Sequence, residues 1–172
     1  MAEQRTGLIL VAVDGSRSAI IAAAVGARLA RMLDARLGLV HVLDTPPLSY
    51  WAGIEDRMRE DIRAQAERML DEVSRNIAGA CALTPSYFLV EGPRAEEICR
   101  LVRAHPETLM LIVGRHGVAS EKGAPLSRAY SGELVRELAA ELPVPLLLVP
   151  AEVDVSDICP GFSAPPEPDG AP

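Results

Sequence analysis

The sequence has few aromatic residues and no long hydrophobic run. Phe, Trp and Tyr make up 3% of the 172 residues although 49% are hydrophobic, so the core must be built mainly from aliphatic side chains. No segment approaches the roughly 20 consecutive apolar residues that cross a bilayer. Residues 1–7 are polar and lack the hydrophobic region of a signal peptide, so we expect a cytoplasmic protein.

Cysteine and basic residues are also scarce. The three cysteines, at positions 81, 99 and 159, show no CxxC spacing, so the sequence predicts neither a disulfide framework nor a zinc site. Cys81 and Cys99 are expected to be buried, reduced thiols. Acidic residues outnumber basic ones by 24 to 17, and the resulting formal charge of −7 argues against nucleic acid or an anionic membrane as the partner.

Apolar runs alternate with helical periodicities over most of the chain. Continuous apolar runs predict strands covered on both faces, and apolar residues three to four positions apart predict amphipathic helices. In the first helix the predicted apolar face consists of Ile21, Val25, Leu29 and Met32. Strict alternation predicts an α/β domain with a parallel sheet and helices on both faces. The predicted strands are 8–13, 37–43, 86–90, 108–113 and 146–149, and the predicted helices are 18–33, 54–77, 93–102 and 134–142.

A change in composition divides the chain at about residue 150. Residues 1–150 carry the alternating pattern and have the length of a single domain. Residues 151–172 contain a Pro-rich stretch with almost nothing to bury, so we predict a disordered tail.

Residues that directly follow the strands are the candidates for ligand binding, because ligands of such sheets bind at the carboxyl ends of the strands. Asp14 could accept hydrogen bonds from a ribose hydroxyl or an adenine amine, or it could cap a turn or a helix. Gly114 and Gly117 could let backbone N–H groups approach a phosphate, or they could form a tight turn. Gly132 opens the last helix, whose N-terminus could attract an anion or be an ordinary helix start.

The sequence offers no constellation of residues that is typical of catalysis. His41, His105 and His116 are expected to pack, face solvent or position the backbone, and no Ser/His/Asp or Cys/His arrangement can be argued. We therefore predict a binding protein rather than an enzyme. Slow ATP hydrolysis is a weaker alternative, for which Glu133 or His116 would have to act as the base.

Five segments of the chain together form one pattern. They are Val11-Ala-Val-Asp-Gly-Ser16, Leu39-Val-His-Val42, Glu91-Gly-Pro-Arg-Ala-Glu-Glu-Ile98, Leu111-Ile-Val-Gly-Arg-His-Gly117 and Pro143-Val-Pro-Leu-Leu-Leu-Val-Pro150. Together they resemble the universal stress protein family, because they occur in the family order and at near-family spacing over roughly residues 5–150. The resemblance implies a five-stranded parallel sheet of order 3-2-1-4-5, the adenine-nucleotide α-hydrolase-like fold, and often a homodimer through the last strand.

The resemblance also implies a regulatory or stress-response role and an adenine-nucleotide site, with ATP as the favoured ligand. In ATP-binding members the Asp after strand one holds adenine and ribose, which implies that role for Asp14. The residue after the strand-two His contacts adenine through its backbone, and here this residue is Val42. Gly114 and Gly117 match the glycines that hold ribose and phosphates. The residues predicted to bind the nucleotide are Ala12, Asp14, Val42, Val113, Gly114, Gly117 and Gly132.

The loop after the fourth predicted strand departs from the family pattern. ATP-binding members have nine residues between the second glycine and a Gly-Ser or Gly-Thr pair, whereas the longer segment 118–131 separates Gly117 from Gly132 here. Glu133 stands where the family has the hydroxyl. A carboxylate about 4 Å from a phosphate costs roughly 1 kcal/mol in water and more in a partly closed site. This change therefore lowers the expected affinity for phosphates.

Other side chains could offset this repulsion. Ser131 could supply the missing hydroxyl, and basic side chains near the loop could either reach the phosphates or stay solvated. Asp14, Asp44 and Glu133 could coordinate Mg²⁺ together with a bound nucleotide. If residues 118–131 instead fill the cleft, the alternative function is a protein-interaction module that binds no nucleotide. The basic candidates are Arg115, Lys122 and Arg128.

Overall fold

Strands and helices alternate along the part of the chain that this computed structural model describes, residues 7–43, 52–115 and 132–163 (the side chains of 52–56 and 133 excepted). The alternation confirms the α/β class predicted from the sequence. Within these ranges no helix is long and apolar enough to cross a membrane. The elements are β1 (Gly7–Ala12), α1 (Arg17–Met32), β2 (Ala35–Leu43), α2 (Ala52–Cys81), β3 (Ser86–Glu91), α3 (Arg94–Ala104), β4 (Thr108–Arg115), α4 (Gly132–Glu141) and β5 (Leu146–Pro150).

The five strands form a parallel sheet in the order β3-β2-β1-β4-β5, which confirms the expected topology. The central strand β1 pairs with β2 on one side and with β4 on the other. Ala12 at its carboxyl end is level with Val40 of β2 and Val113 of β4. Since the chain winds outward from β1 in both directions, the strand order reverses between β1 and β4, where ligands bind in sheets of this type.

Two apolar cores cover the two faces of the sheet, one beneath α1 and α2 and the other beneath α3 and α4. The buried face of α1 agrees with the prediction only in part: Ile21 is buried and Val25 and Leu29 pack against the core, but Met32 is 66% exposed. Six alanines of the helix are also fully buried. The small alanine side chains let α1 lie close to the sheet. At Gly26 a Cβ would come within 2.5 Å of Cγ2 of Val11.

The segment after β5 contradicts the prediction of a disordered tail for part of its length. Residues 151–163 pack against the core beneath α1 and α2, where Val155 is 7% and Phe162 is 8% exposed. No helical or strand period is visible in this part of the sequence, because its apolar residues sit in a succession of turns. Residues 164–172 lie outside the described part of the chain.

A disulfide bond between Cys81 and Cys159 contradicts a second prediction. Their Cα atoms are 5.7 Å apart, a separation that is typical of disulfides. Cys81 is therefore not a reduced thiol, whereas Cys99 is a buried free cysteine as expected. Burial raises the pKa of the Cys99 thiol. The sequence does not indicate the pairing because it joins residues 78 positions apart, which only the folded chain brings together.

Candidate functional site

The turn between β1 and α1 places Asp14 at the carboxyl edge of the sheet. Gly15 in this turn has a φ of +83°, a conformation that glycine adopts without strain. Oδ1 of Asp14 accepts a hydrogen bond from the backbone N–H of Ser16 at 2.9 Å. Oγ of Ser16 accepts one from the N–H of Ala19 at 3.3 Å and so caps α1. The turn role considered for Asp14 is therefore present, and it fixes the carboxylate near the junction of β1 and β4.

Gly114, near the end of β4, faces the first turn of α1. A Cβ on Gly114 would clash with the backbone carbonyl group of Ser18 and lie 2.6 Å from the backbone nitrogen of Ala19. Ser18 is only 2% exposed, so its backbone is enclosed and α1 cannot easily move away from β4. Glycine is thus required at this position for helix–strand packing. The sequence signal for this role was a glycine that ends an apolar strand, but the partner, Ser18, could not be identified without the fold.

Val42 and His41 occupy the carboxyl end of the neighbouring strand β2. Val42 is buried, with 4% of its surface exposed. Nδ1 of His41 lies 2.7 Å from the carbonyl oxygen of Val13, within range for an N–H to donate to that oxygen. This contact joins β2 to the residue before Asp14, so His41 has a structural role at this edge of the sheet.

The structure gathers five of the seven predicted binding residues at one edge of the sheet. Of the other two, Gly117 lies outside the described residues, and Gly132 begins α4, where a Cβ added to it would have no described heavy atom within 4 Å. Packing among the described residues therefore does not require a glycine at position 132. The gathered residues are Ala12, Asp14, Val42, Val113 and Gly114.

Most of the residues expected to meet phosphates lie outside the described part of the chain. Arg115 is exposed at the end of β4, on the same sheet edge as Asp14. The backbone of Glu133 belongs to the first turn of α4, directly after Gly132. Outside the described residues lie Asp44, His116, Gly117, Lys122, Arg128 and Ser131, together with the side chain of Glu133.

A comparison with known families identifies the family of this chain. The family model described as "Universal stress protein family" matches residues 7–150. The chain belongs to the universal stress protein family. A search of curated protein sequences finds no match to this universal stress protein.

Solved structures show the same fold at low sequence identity. UspA from Lactobacillus plantarum has a TM-score of 0.69 at 18% identity, covering 86% of this chain and 99% of that chain. A universal stress protein from Archaeoglobus fulgidus in complex with dAMP has a TM-score of 0.59 at 13% identity, covering 83% and 96%. A family protein from Arabidopsis thaliana with AMP bound has a TM-score of 0.57 at 17% identity, covering 84% and 91%.

Metal ligands are not clustered in the described part of this universal stress protein. Within residues 7–43, 52–115 and 132–163, no group of three or more His, Cys, Asp or Glu side chains could hold a metal ion. The Mg²⁺ ligands expected from the sequence fall only partly within these ranges, since Asp44 and the side chain of Glu133 lie outside them.

A hollow of about 220 Å³ lies apart from the β1–β4 junction. It opens between the carboxyl ends of β2 and β3 and the helix α2. Two arginines and two glutamates line it, so its formal charges balance, and Nη1 of Arg59 lies 3.8 Å from Oε1 of Glu91. The hollow therefore lacks the excess positive charge that a phosphate site requires. Its lining residues are Leu43, Arg59, Glu60, Ile62, Arg63 and Glu91.

A charged cluster at the opposite, amino edge of the sheet has a structural explanation. Oε1 of Glu107 accepts a hydrogen bond from Nη2 of Arg36 at 2.7 Å and lies 3.3 Å from Nδ1 of His105. A hydrogen bond from its own backbone N–H, followed by the His105 contact, lowers the pKa of Glu107. The cluster links the start of β2 to the turn before β4, so we do not assign it to the ligand site.

Proposed function

We propose that this universal stress protein binds an adenine nucleotide at the junction of β1 and β4 and acts through that binding rather than through catalysis. The observation that carries the proposal is the fixed position of the Asp14 carboxylate at the strand-order reversal, beside Ala12 and Val113. Two structural relatives, from A. fulgidus and A. thaliana, contain dAMP and AMP.

The described residues at this edge suit the nucleoside part of such a ligand. A carboxylate is an acceptor for ribose hydroxyls and for the adenine amine, and the Ser16 N–H holds Oδ1 of Asp14 in place before any ligand arrives. The side chains of Ala12, Val42 and Val113 are buried in the apolar core, so these residues would contact the base through their backbone rather than through their side chains. Gly114 contributes indirectly, because it lets the capped start of α1 approach β4.

ATP is the nucleotide we propose, with Mg²⁺ as its companion ion. The support is the family pattern around Gly114 and Gly117 and the N-terminus of α4, which begins at Gly132. Glu133 in the first turn of α4 opposes additional phosphate charge. The affinities for AMP, cyclic AMP and ATP therefore distinguish a site that grips the whole triphosphate from one that recognises mainly the nucleoside.

Asp14→Ala is expected to weaken nucleotide binding about tenfold or more, because hydrogen bonds to a charged group contribute about 1.5–3 kcal/mol. Isothermal titration calorimetry with ATP, AMP and cyclic AMP measures the change. Asp14→Asn keeps an acceptor oxygen for the Ser16 N–H, so it separates the loss of charge from damage to the turn. Asp71→Ala, on the exposed side of α2, is the matched control and should bind like the wild type.

Two results would contradict the proposal: no binding of any of these nucleotides at millimolar concentration, or full affinity in a folded Asp14→Ala variant. The first result would favour the protein-interaction module instead. Circular dichroism of each variant confirms that the fold is intact.

We also propose that the protein is a cytoplasmic homodimer that associates through β5. This strand forms an edge of the sheet, and Leu147 and Leu148 on it are 37% and 39% exposed. An edge strand with exposed leucines favours pairing with another chain. Analytical ultracentrifugation should give twice the chain mass, and Leu148→Lys should give the monomer. A wild-type protein that sediments as a monomer would exclude the dimer.

A further inference from the structure

The segment 151–163 lies outside the part of the chain that defines the family. The family match ends at residue 150. UspA from L. plantarum aligns over 99% of its own length with only 86% of this chain and has the same fold. Residues 151–163 therefore follow the part of the chain that the family shares.

Local hydrogen bonds give the added segment its shape. The backbone N–H of Cys159 donates to the carbonyl of Val155 at 2.8 Å, and that of Phe162 donates to the carbonyl of Cys159 at 3.0 Å. Toward the rest of the protein, Nδ2 of Asn76 on α2 donates to the carbonyl of Ser163 at 3.1 Å in an exposed position. The segment is thus held to the domain chiefly by its buried side chains and by one covalent bond.

The disulfide attaches the segment to the end of α2, where α2 contacts α1. Cys81 is the last residue of α2, and its carbonyl accepts a hydrogen bond from Nη1 of Arg31 on α1 at 3.1 Å. Beneath it, Val73 and Ile77 of α2 belong to the same apolar core as the buried part of the segment. Removal of the segment would therefore uncover apolar surface.

We propose that Cys81 and Cys159 form a redox-controlled clasp. In the oxidised state the disulfide holds residues 151–163 over α1 and α2, and in the reduced state the segment opens more often and transiently uncovers the apolar surface below. Both cysteines are 3% exposed, so a reagent reaches the sulfur atoms when the segment opens locally. The clasp is distinct from the nucleotide site and does not depend on nucleotide binding.

The oxidant we assign to the closing step is a low-molecular-weight disulfide. The thiolate of one cysteine attacks a sulfur of this disulfide, forms a mixed disulfide and expels one small thiolate. The second cysteine thiolate attacks the protein sulfur of the mixed disulfide, forms the Cys81–Cys159 bond and expels the second small thiolate. The two protein thiols lose two electrons and their protons, and the small disulfide becomes two small thiols. Excess small thiol reverses both steps.

Hydrogen exchange followed by mass spectrometry tests the clasp on the full chain with and without dithiothreitol. We expect amides of residues 151–163 to lose protection at least about tenfold on reduction, because local opening then no longer has to overcome the covalent link. Amides of β1 and β4 should stay protected. Equal protection of 151–163 in both states would overturn the proposal, as would a loss of protection throughout the domain.

Two variants make the exchange result specific. Cys159→Ser lies outside the family region and should show the released segment with or without dithiothreitol. Cys99→Ser should respond to dithiothreitol as the wild type does. A segment that is equally protected in the wild type and in Cys159→Ser would show that the disulfide does not hold it, which contradicts the clasp.

The second test asks whether the bond responds to a biological thiol. The protein is equilibrated in mixtures of reduced and oxidised glutathione, and the free cysteines are alkylated and counted by mass under denaturing conditions. We expect one alkylated cysteine in oxidising mixtures and three in reducing mixtures. One alkylated cysteine across all millimolar mixtures would identify a permanent structural disulfide and overturn the redox control.

Discussion

At Gly114, β4 lies directly against the first turn of α1, beside the proposed nucleotide site. The missing Cβ leaves room for the backbone of Ser18, not for a ligand atom. Packing therefore explains at least one glycine of the family pattern, Gly114. A phosphate role for the glycines of this loop then depends on Gly117 and Gly132.

Gly114→Ala is expected to lower the free energy of unfolding by about 1–3 kcal/mol, because the added methyl group meets backbone atoms of a buried helix turn. Chemical denaturation measures this loss. Gly132→Ala is the matched control, since no described heavy atom lies within 4 Å of its Cβ position, and its stability should equal or slightly exceed that of the wild type. Equal stability of the two variants would show that α1 does not approach β4 as closely as described.

At the scale of single residues, the sequence predicts which residues lie near the site, but it does not explain why each residue type is needed there. Asp14 could be placed at the end of a strand because an apolar run stops there, and its turn contact with Ser16 is local. The contact between Gly114 and Ser18 is not local, so no pattern near either residue indicates it. The reason for a glycine at position 114 became apparent only from the packing of α1 on the sheet.

Among the elements, α1 shows how a helix can be predicted correctly and its buried face only in part. Large apolar residues three to four positions apart predicted a face from Ile21 to Met32, of which Ile21 is buried and Met32 is exposed. The structure also turns a row of alanines, with Gly26, toward the sheet. Alanine buries little area per residue, so its contribution is easily overlooked in a hydrophobic pattern, but it permits a shorter distance between helix and sheet.

Gly26 and Gly79 give opposite predictions for the same substitution in the two helices of one layer. Gly26→Ala is expected to cost about 1–3 kcal/mol, because its methyl group would lie 2.5 Å from Val11. Gly79→Ala in α2 meets no described atom within 4 Å and should add about 0.5–1 kcal/mol through its helix propensity. Thermal or chemical denaturation measures both, and changes of the same sign would contradict the described packing of α1.

For the whole molecule, the strand order and fold class followed from the alternation of elements and the family resemblance. The end of the chain did not, because residues 151–163 bury their apolar side chains without a regular period. Disulfides are also uncommon in the cytoplasmic proteins expected here, unless they form and break. If the Cys81–Cys159 bond is reversible, as proposed above, a disulfide is compatible with the expected cytoplasmic location.

The disulfide also makes a closed covalent ring of residues 81–159, which contains β3, β4 and β5. A protease that cuts this ring once, for example after Lys122 or Arg128, leaves two polypeptides joined as one molecule. The nicked protein would migrate as a single species on a non-reducing gel and as two fragments after reduction. Whether the two fragments of a cleaved chain stay together then depends on whether thiols in the surroundings reduce the disulfide.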